Sequence, residues 1–239
     1  MDFGLFKSII DECSFYGPRS FSLHLFGEPL LYPKILEAIR YIKERNKRNT
    51  ILLTTNGTLL NKFISDLMGL GIDRIIWSWR RNNFTDETIG HLRRIGLIRL
   101  LIEETPKEEF EKWSKFPRVE VKHLHNYGGN IDVTKWGIKE TENVRYPCYH
   151  LWLAPAIRWN GDITICCNDP TGIERLDCFN NVGDISRIWN DRKLLDIRKT
   201  HLEGRYKGLC ANCNVWKTYP DLFFEFQKKP NHVATPSSI

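Results

Sequence analysis

Along the first 126 or so residues, the spacing of apolar side chains switches repeatedly between a period of about 3.6 and a period of two. That alternation constrains the fold more than any other feature. Phe3, Phe6, Ile9 and Ile10 share one side of an amphipathic helix over residues 2–12, which leads into an apolar strand over 21–26. Pro33 suits the first turn of a helix carrying Ile35, Ile39 and Ile42, and the next strand, 51–55, ends at Asn56-Gly57. Leu60, Phe63, Ile64 and Leu67 mark a helix that stops at Gly69 and Gly71, before a strand over 72–78. Residues 84–95 read as helix and 98–102 as strand. Thr105, Pro106 and Glu108 supply an N-cap, a first-turn proline and a capping-box glutamate for a helix reaching Phe116, and 119–124 forms a last strand. Strands alternating with helices argue for βαβ units, a parallel sheet with helices outside, and sites at the carboxyl ends of the strands. Those ends are residues 26–29, 54–57, 77–79 and 125–129.

The pattern then changes. Residues 130–147 are polar and aperiodic, as in a linker. Two strand-like runs, Ala156-Ile157-Arg158-Trp159 and Asp162-Ile163-Thr164-Ile165, flank Asn160-Gly161, the dipeptide suited to a type I′ hairpin turn. Residues 184–201 read as one helix through Ile185, Ile188, Trp189 and Leu195, and 228–239 as a polar tail carrying no fold signal.

With 41% hydrophobic and 27% charged residues in 239, the chain is of ordinary globular composition, which excludes fibrous and wholly disordered classes. No apolar run approaches the roughly 18–20 residues that span a bilayer, and the start has no charged n-region before an apolar stretch. A cytoplasmic protein with no membrane partner is expected. Lys and Arg exceed Asp and Glu by 35 − 29 = 6, spread along the chain, so nucleic acid is not the expected partner. The aromatics that would suit it, Trp77, Trp79, Phe84, Trp152 and Trp159, fall mostly within predicted strands and are expected to pack. His24, His125 and His201 read as hydrogen-bonded interior histidines, while Glu103 or Glu104, at a strand end, could reach a cofactor or substrate.

Six of the seven cysteines (148, 166, 167, 178, 210 and 213) fall within 66 residues, and only Cys13 precedes them. In a reducing compartment, clustered thiolates more often bind metal than form disulfides. Cys148 lies before the hairpin, Cys166 at the end of its second strand, and Cys210-Ala211-Asn212-Cys213 forms a CxxC knuckle. Four soft ligands suit tetrahedral zinc or an iron-sulfur cluster, and spacing alone leaves both open. Cys167 should point to the face opposite Cys166 and pack in the core; Cys178 follows a loop as a spare, and Cys13 packs on its helix.

Gly27-Glu28-Pro29 after one strand, Thr55-Asn56-Gly57 after the next, Ser78 after a third and Asn126-Tyr127-Gly128-Gly129 after the last resemble radical S-adenosylmethionine (radical SAM) enzymes. Phe26 stands where that family's GGEP motif usually begins with Gly. Residues 148–219, with Cys148, Gly161 and Cys166 at the family's intervals and Ile188-Trp189-Asn190, resemble a SPASM domain. The resemblance implies a partial (β/α)6-type barrel with a mostly parallel sheet over residues 1–129, a linker at 130–147, a small α+β SPASM domain with a β-hairpin at 148–219, and a tail at 220–239.

It also implies that the backbone of Gly27, Glu28 and Pro29 binds the methionyl amino group of SAM, Gly27 by allowing close approach and Glu28 by its charge. Thr55, Asn56 and Ser78 would surround the ribose and carboxylate. One auxiliary 4Fe-4S cluster is expected on Cys148, Cys166, Cys210 and Cys213, because no cysteine follows Cys213 to hold another. The implied activity is release of a 5′-deoxyadenosyl radical to modify a peptide or protein, with electrons from a flavodoxin or ferredoxin. The CxxxCxxC loop that holds the catalytic 4Fe-4S cluster in this family is not in the sequence. The chain is therefore expected to be an amino-terminally truncated form, inactive as it stands. The rival readings are a degenerate relative that no longer cleaves SAM, and a zinc or iron-sulfur module without catalysis.

Overall fold

The structure is a computed structural model and describes residues 1–138, 145–180 and 183–215. Part of the expected linker (139–144), the end of the expected cluster domain (216–219) and the expected tail lie outside these residues.

Asp2 opens helix α1 (Phe3–Phe15) by accepting from Leu5 N at 3.0 Å. Strand β1 (Ser20–Ser22) follows, then α2 (Ile35–Arg45), β2 (Thr50–Thr55), α3 (Leu60–Gly69), β3 (Arg74–Ser78), α4 (Asp86–Ile95), β4 (Gly96–Leu101), α5 (Lys107–Trp113) and β5 (Val119–Lys122). All five strands pair in parallel in sequence order. The helices cover one face. Ile51 and Leu53 of β2, Ile75 and Trp77 of β3, and Ile98 and Leu100 of β4 are fully buried there against Ile39, Ile42, Leu60, Ile64, Leu67 and Leu92. Thr54, Ser78 and Arg99 fall at the alternate positions, half-buried on the other face.

Past the sheet come α6 (His150–Leu153), β6 (Ala156–Ile157), β7 (Asp162–Thr164), β8 (Arg175–Cys178), α7 (Asp184–Trp189) and α8 (Arg192–Leu202). The three strands form an antiparallel sheet in the order β6-β7-β8, so the chain is a mixed α/β protein with two separate sheets. No helix among the described residues is long and apolar enough to cross a membrane.

Local chemistry moved several expected boundaries. β1 is shorter than the apolar run, because Thr54 N donates to the His24 ring at 3.3 Å and the side chain takes the place of a strand acceptor. Thr105 does not cap α5; its N–H turns back to Leu101 O at 2.9 Å, and Pro106 occupies the cap position without a side-chain bond. The hairpin at Asn160-Gly161 is not a type I′ turn. Only Gly161 takes a positive φ, +90°, and its N–H donates to Arg158 O at 3.0 Å, which matches a three-residue loop with a glycine bulge. The single helix expected over 184–201 is two, since the Asp191 side chain accepts from Lys193 N at 2.8 Å and starts a new helix. β8 was not expected: Arg175-Leu176-Asp177-Cys178 alternates polar and apolar residues over only four positions, a run too short to stand out as a strand.

Candidate cofactor sites

The exits of β1 and β2 are tied together by one carboxylate. Glu28 Oε1 accepts from Leu30 N at 3.1 Å and from Thr55 Oγ1 at 2.7 Å, and its Oε2 accepts from Asn56 N at 2.8 Å. Thr55 Oγ1 in turn accepts from Gly57 N at 3.0 Å. The structure therefore brings Gly27, Glu28, Pro29, Thr55 and Asn56 into one cluster at the strand ends. Ser78 ends the neighbouring strand, one position beyond the Thr55–Trp77 pair. Three hydrogen bonds within the chain engage the Glu28 carboxylate, so Glu28 also fixes the shape of the cluster. Gly27 remains suited to a ligand, since φ is +105° and a Cβ there would meet nothing within 4 Å.

Charged and ionisable side chains pair along the same sheet and its strand ends. Arg99 and Glu120 pair at 2.5 Å across β4 and β5. Burial, with Arg99 adding to it, pushes His24 down to about 4, so its ring is neutral and free to accept from Thr54 N. Glu103 accepts from the His123 ring at 2.6 Å and Leu124 N at 2.8 Å, and Glu104 pairs with Arg80 at 2.9 Å. Glu103 thus holds the exit of β5, and Glu104 a neighbouring loop.

The second site is made of sulfur. Cys148, Cys166, Cys210 and Cys213 line one small cavity, closed by Leu151 and Ile165. Cys148 precedes α6, Cys166 follows β7, and the knuckle starts from the single helical turn Gly208–Cys210. Among the described residues no three His, Cys, Asp or Glu side chains converge closely enough to hold a single metal ion. Four cysteines around one cavity make a soft donor set of the kind that holds an iron-sulfur cluster or zinc. Backbone groups face the sulfurs: Asn168 N donates to Cys166 Sγ and Val215 N to Cys213 Sγ, both at 3.3 Å. Burial pushes the Cys148 thiol up to about 11 and the Cys210 thiol up to about 12. Arg145 opposes that rise at both, and donates to Cys210 O at 2.5 Å and Ala211 O at 3.0 Å. Such a cavity stabilises thiolates once a cationic group shares their charge.

Cys167 departs from its expected place. β7 ends at Thr164, so strand alternation no longer applies at 166 and 167. The Cys166 thiol donates to Cys167, which raises Cys166 and lowers Cys167. Cys178, at the end of β8, lies away from the four, its thiol directed at Asn160 O and Phe179 O at 3.8 Å. Cys13 packs against the small cluster of Ile9, Ile163, Phe179 and Ile188. Sequence reading missed Arg145, and it gave His201 as a hydrogen-bonded interior histidine without its partner: the ring accepts from Cys148 N at 3.4 Å. His201 is almost wholly buried, and burial, followed by Arg145, pushes it down to about 4. The segment 126–129, one of the strand ends singled out in the sequence, packs against the cysteine knuckle: Leu209 covers Gly128 and Asn212 covers Gly129.

Comparison with known proteins follows the same division. Residues 148–214 match SPASM, an iron-sulfur cluster-binding domain. The S-adenosyl-L-methionine-dependent 2-deoxy-scyllo-inosamine dehydrogenase of Niallia circulans is 26% identical over 223 residues, covering 90% of this chain and 80% of that protein. The tungsten-containing aldehyde ferredoxin oxidoreductase cofactor-modifying protein of Pyrococcus furiosus is 25% identical over 150 residues, 61% of this chain. That match spans only 39% of the Pyrococcus protein's length. Among solved structures, BtrN in complex with AdoMet and 2-DOIA superposes with a TM-score of 0.62 at 22% identity, covering 90% of this chain and 80% of that one.

Proposed function

We propose that this chain is a radical SAM protein carrying a SPASM domain, with two cofactor sites. One auxiliary 4Fe-4S cluster sits on Cys148, Cys166, Cys210 and Cys213. S-adenosylmethionine sits across the strand exits at Gly27, Glu28, Pro29, Thr55, Asn56 and Ser78. The ring of four thiols around one cavity is the observation that carries this reading.

When bound beside a reduced catalytic cluster, SAM supplies a 5′-deoxyadenosyl radical that removes a hydrogen atom from the substrate. Residues 1–239 contain no CxxxCxxC, so that step is proposed only for a form carrying such a loop. What these residues do is hold and tune. Glu28 sets the backbone of the β1 and β2 exits, and Gly27 leaves room for a ligand's approach. Leu151 and Ile165 give the cavity an apolar wall, while Arg145 and the two N–H donors offset the charge of the sulfurs. Cys148, Cys166, Cys210 and Cys213 would occupy all four irons of such a cluster, which would suit it to electron transfer with a flavodoxin or ferredoxin and not to substrate binding.

A peptide or protein is the proposed substrate class. A second reading, oxidation of a small polar alcohol, is favoured by the Niallia relative, whose name describes a SAM-dependent dehydrogenase and which aligns with 90% of this chain. Anaerobic reconstitution tests the cluster. The expected product is a brown protein with about four irons and four sulfides per chain, and Cys210→Ala loses the colour. A colourless protein holding one zinc contradicts the proposal.

A further inference from the structure

The cysteine knuckle is not held by its own half of the chain alone. Asn126, at the exit of β5, is nearly buried and bonds the knuckle in both directions. Its backbone N–H donates to Asn214 Oδ1 at 2.8 Å, and its Oδ1 accepts from Asn214 N at 3.1 Å. Its Nδ2 donates to Asn212 O at 2.5 Å. These bonds span 86 to 88 positions of sequence and enclose Cys213 from both sides. The adjoining turn is shaped to receive the knuckle. A Cβ at Gly128 would stand 2.7 Å from Leu209, so only glycine admits Leu209 there. Tyr127 adopts φ +47°, the one non-glycine residue with positive φ among those described, a conformation that persists only where its surroundings impose it.

We propose that Asn126 and Asn214 are a positioning pair that seats the Cys210–Cys213 knuckle on the exit of β5, so that the parallel sheet sets the geometry of the auxiliary cluster. This rests on the cluster reading above. Neither residue touches the cluster in this account; each acts through the backbone of residues 212–214. The pair also connects the two cofactor sites, because β5 joins the same sheet whose β1 and β2 exits hold the Glu28 cluster.

The test reconstitutes the full chain anaerobically as wild type, Asn126→Ala, Asn214→Ala and Asn214→Asp. The readouts are iron per chain, the rate of iron release to a chelator, and the electron paramagnetic resonance spectrum of the reduced protein. Loss of a buried hydrogen-bond partner is expected to speed iron release by about tenfold in both alanine variants, with an altered spectrum. Asn214→Asp keeps the oxygen that accepts from Asn126 N, and is expected to restore release and spectrum to near wild type. Alanine variants with wild-type release and spectrum overturn the proposal, as does an Asn214→Asp chain that behaves like Asn214→Ala. If Asn126→Ala does not fold, the Asn214 pair decides. A wild-type chain that takes up zinc instead of iron overturns the cluster reading and this role with it, a result distinct from variants that load and behave normally.

Discussion

The two halves of the molecule are held together by different means. The parallel sheet has one continuous apolar core running from Phe6 in α1 to Phe116 beyond α5, with Ile39, Ile42, Leu53, Ile75, Trp77 and Leu100 fully buried. The cysteine half has two small clusters, Leu151, Ile165 and Leu194 in one, and Ile163, Phe179 and Ile188 with Ile9 of α1 in the other. A core of that size leaves little surplus over the conformational entropy of ordering the segment. The sheet can therefore fold on burial alone, whereas the cysteine half depends on what its thiols bind and on its contacts with the sheet.

The largest effect should come from the thiols. Cys210→Ala, or stripping of the iron, is expected to abolish amide-exchange protection around 148–215 while β2, β3 and β4 keep theirs. Equal loss in both halves breaks the comparison. Leu53→Ala, in the middle of the sheet core, should cost about 2–5 kcal/mol by urea unfolding, yet leave iron per folded chain unchanged.

Acid should act on the sheet half through His24. Its folded value, about 4, lies below the ordinary 6.5, so the unfolded chain binds more protons between those two pH values. Stability is complete above pH 6.5 and falls as the pH drops toward 4, by about 3 kcal/mol at most. His24→Asn, measured in the iron-free chain, should flatten that slope; an unchanged slope removes His24 from the account.

Glu12 links the halves directly. Almost fully buried in α1, it accepts from Gly183 N at 2.9 Å and Ser186 N at 3.1 Å, capping α7 across 171 positions of sequence. Glu12→Ala should weaken the joint by about 1–3 kcal/mol and split one unfolding transition into two. Smallest is Glu28→Gln. Its amide would face Asn56 N with a donor instead of an acceptor, and SAM affinity by titration calorimetry should fall about tenfold with iron loading intact.

Most of the sheet was legible because burial imposes a period on sequence. Ile51 and Leu53 alternate with half-buried neighbours, and Ile35, Ile39 and Ile42 repeat at helical spacing. The grouping of the four cysteines was legible from their intervals, and the structure brings them to one cavity. What escaped was set by single side chains reaching across the fold. Asp191 starting a helix, His24 replacing a strand acceptor and Glu12 capping a distant helix leave no periodic trace. The bonds that Glu28 makes to Thr55 and Asn56 were not legible either, since those partners lie 27 and 28 positions away. Cys167 was misplaced because alternation was carried past the point where β7 ends.

The central claim is that the ring of four thiols holds one iron-sulfur cluster. Native mass spectrometry of the anaerobically reconstituted chain tests it most directly. The account predicts a single added mass equal to four irons and four sulfides, absent from Cys148→Ala, Cys166→Ala, Cys210→Ala and Cys213→Ala and retained in Cys13→Ala and Cys178→Ala. An added mass of one zinc, or a cluster that survives loss of any of the four, contradicts it.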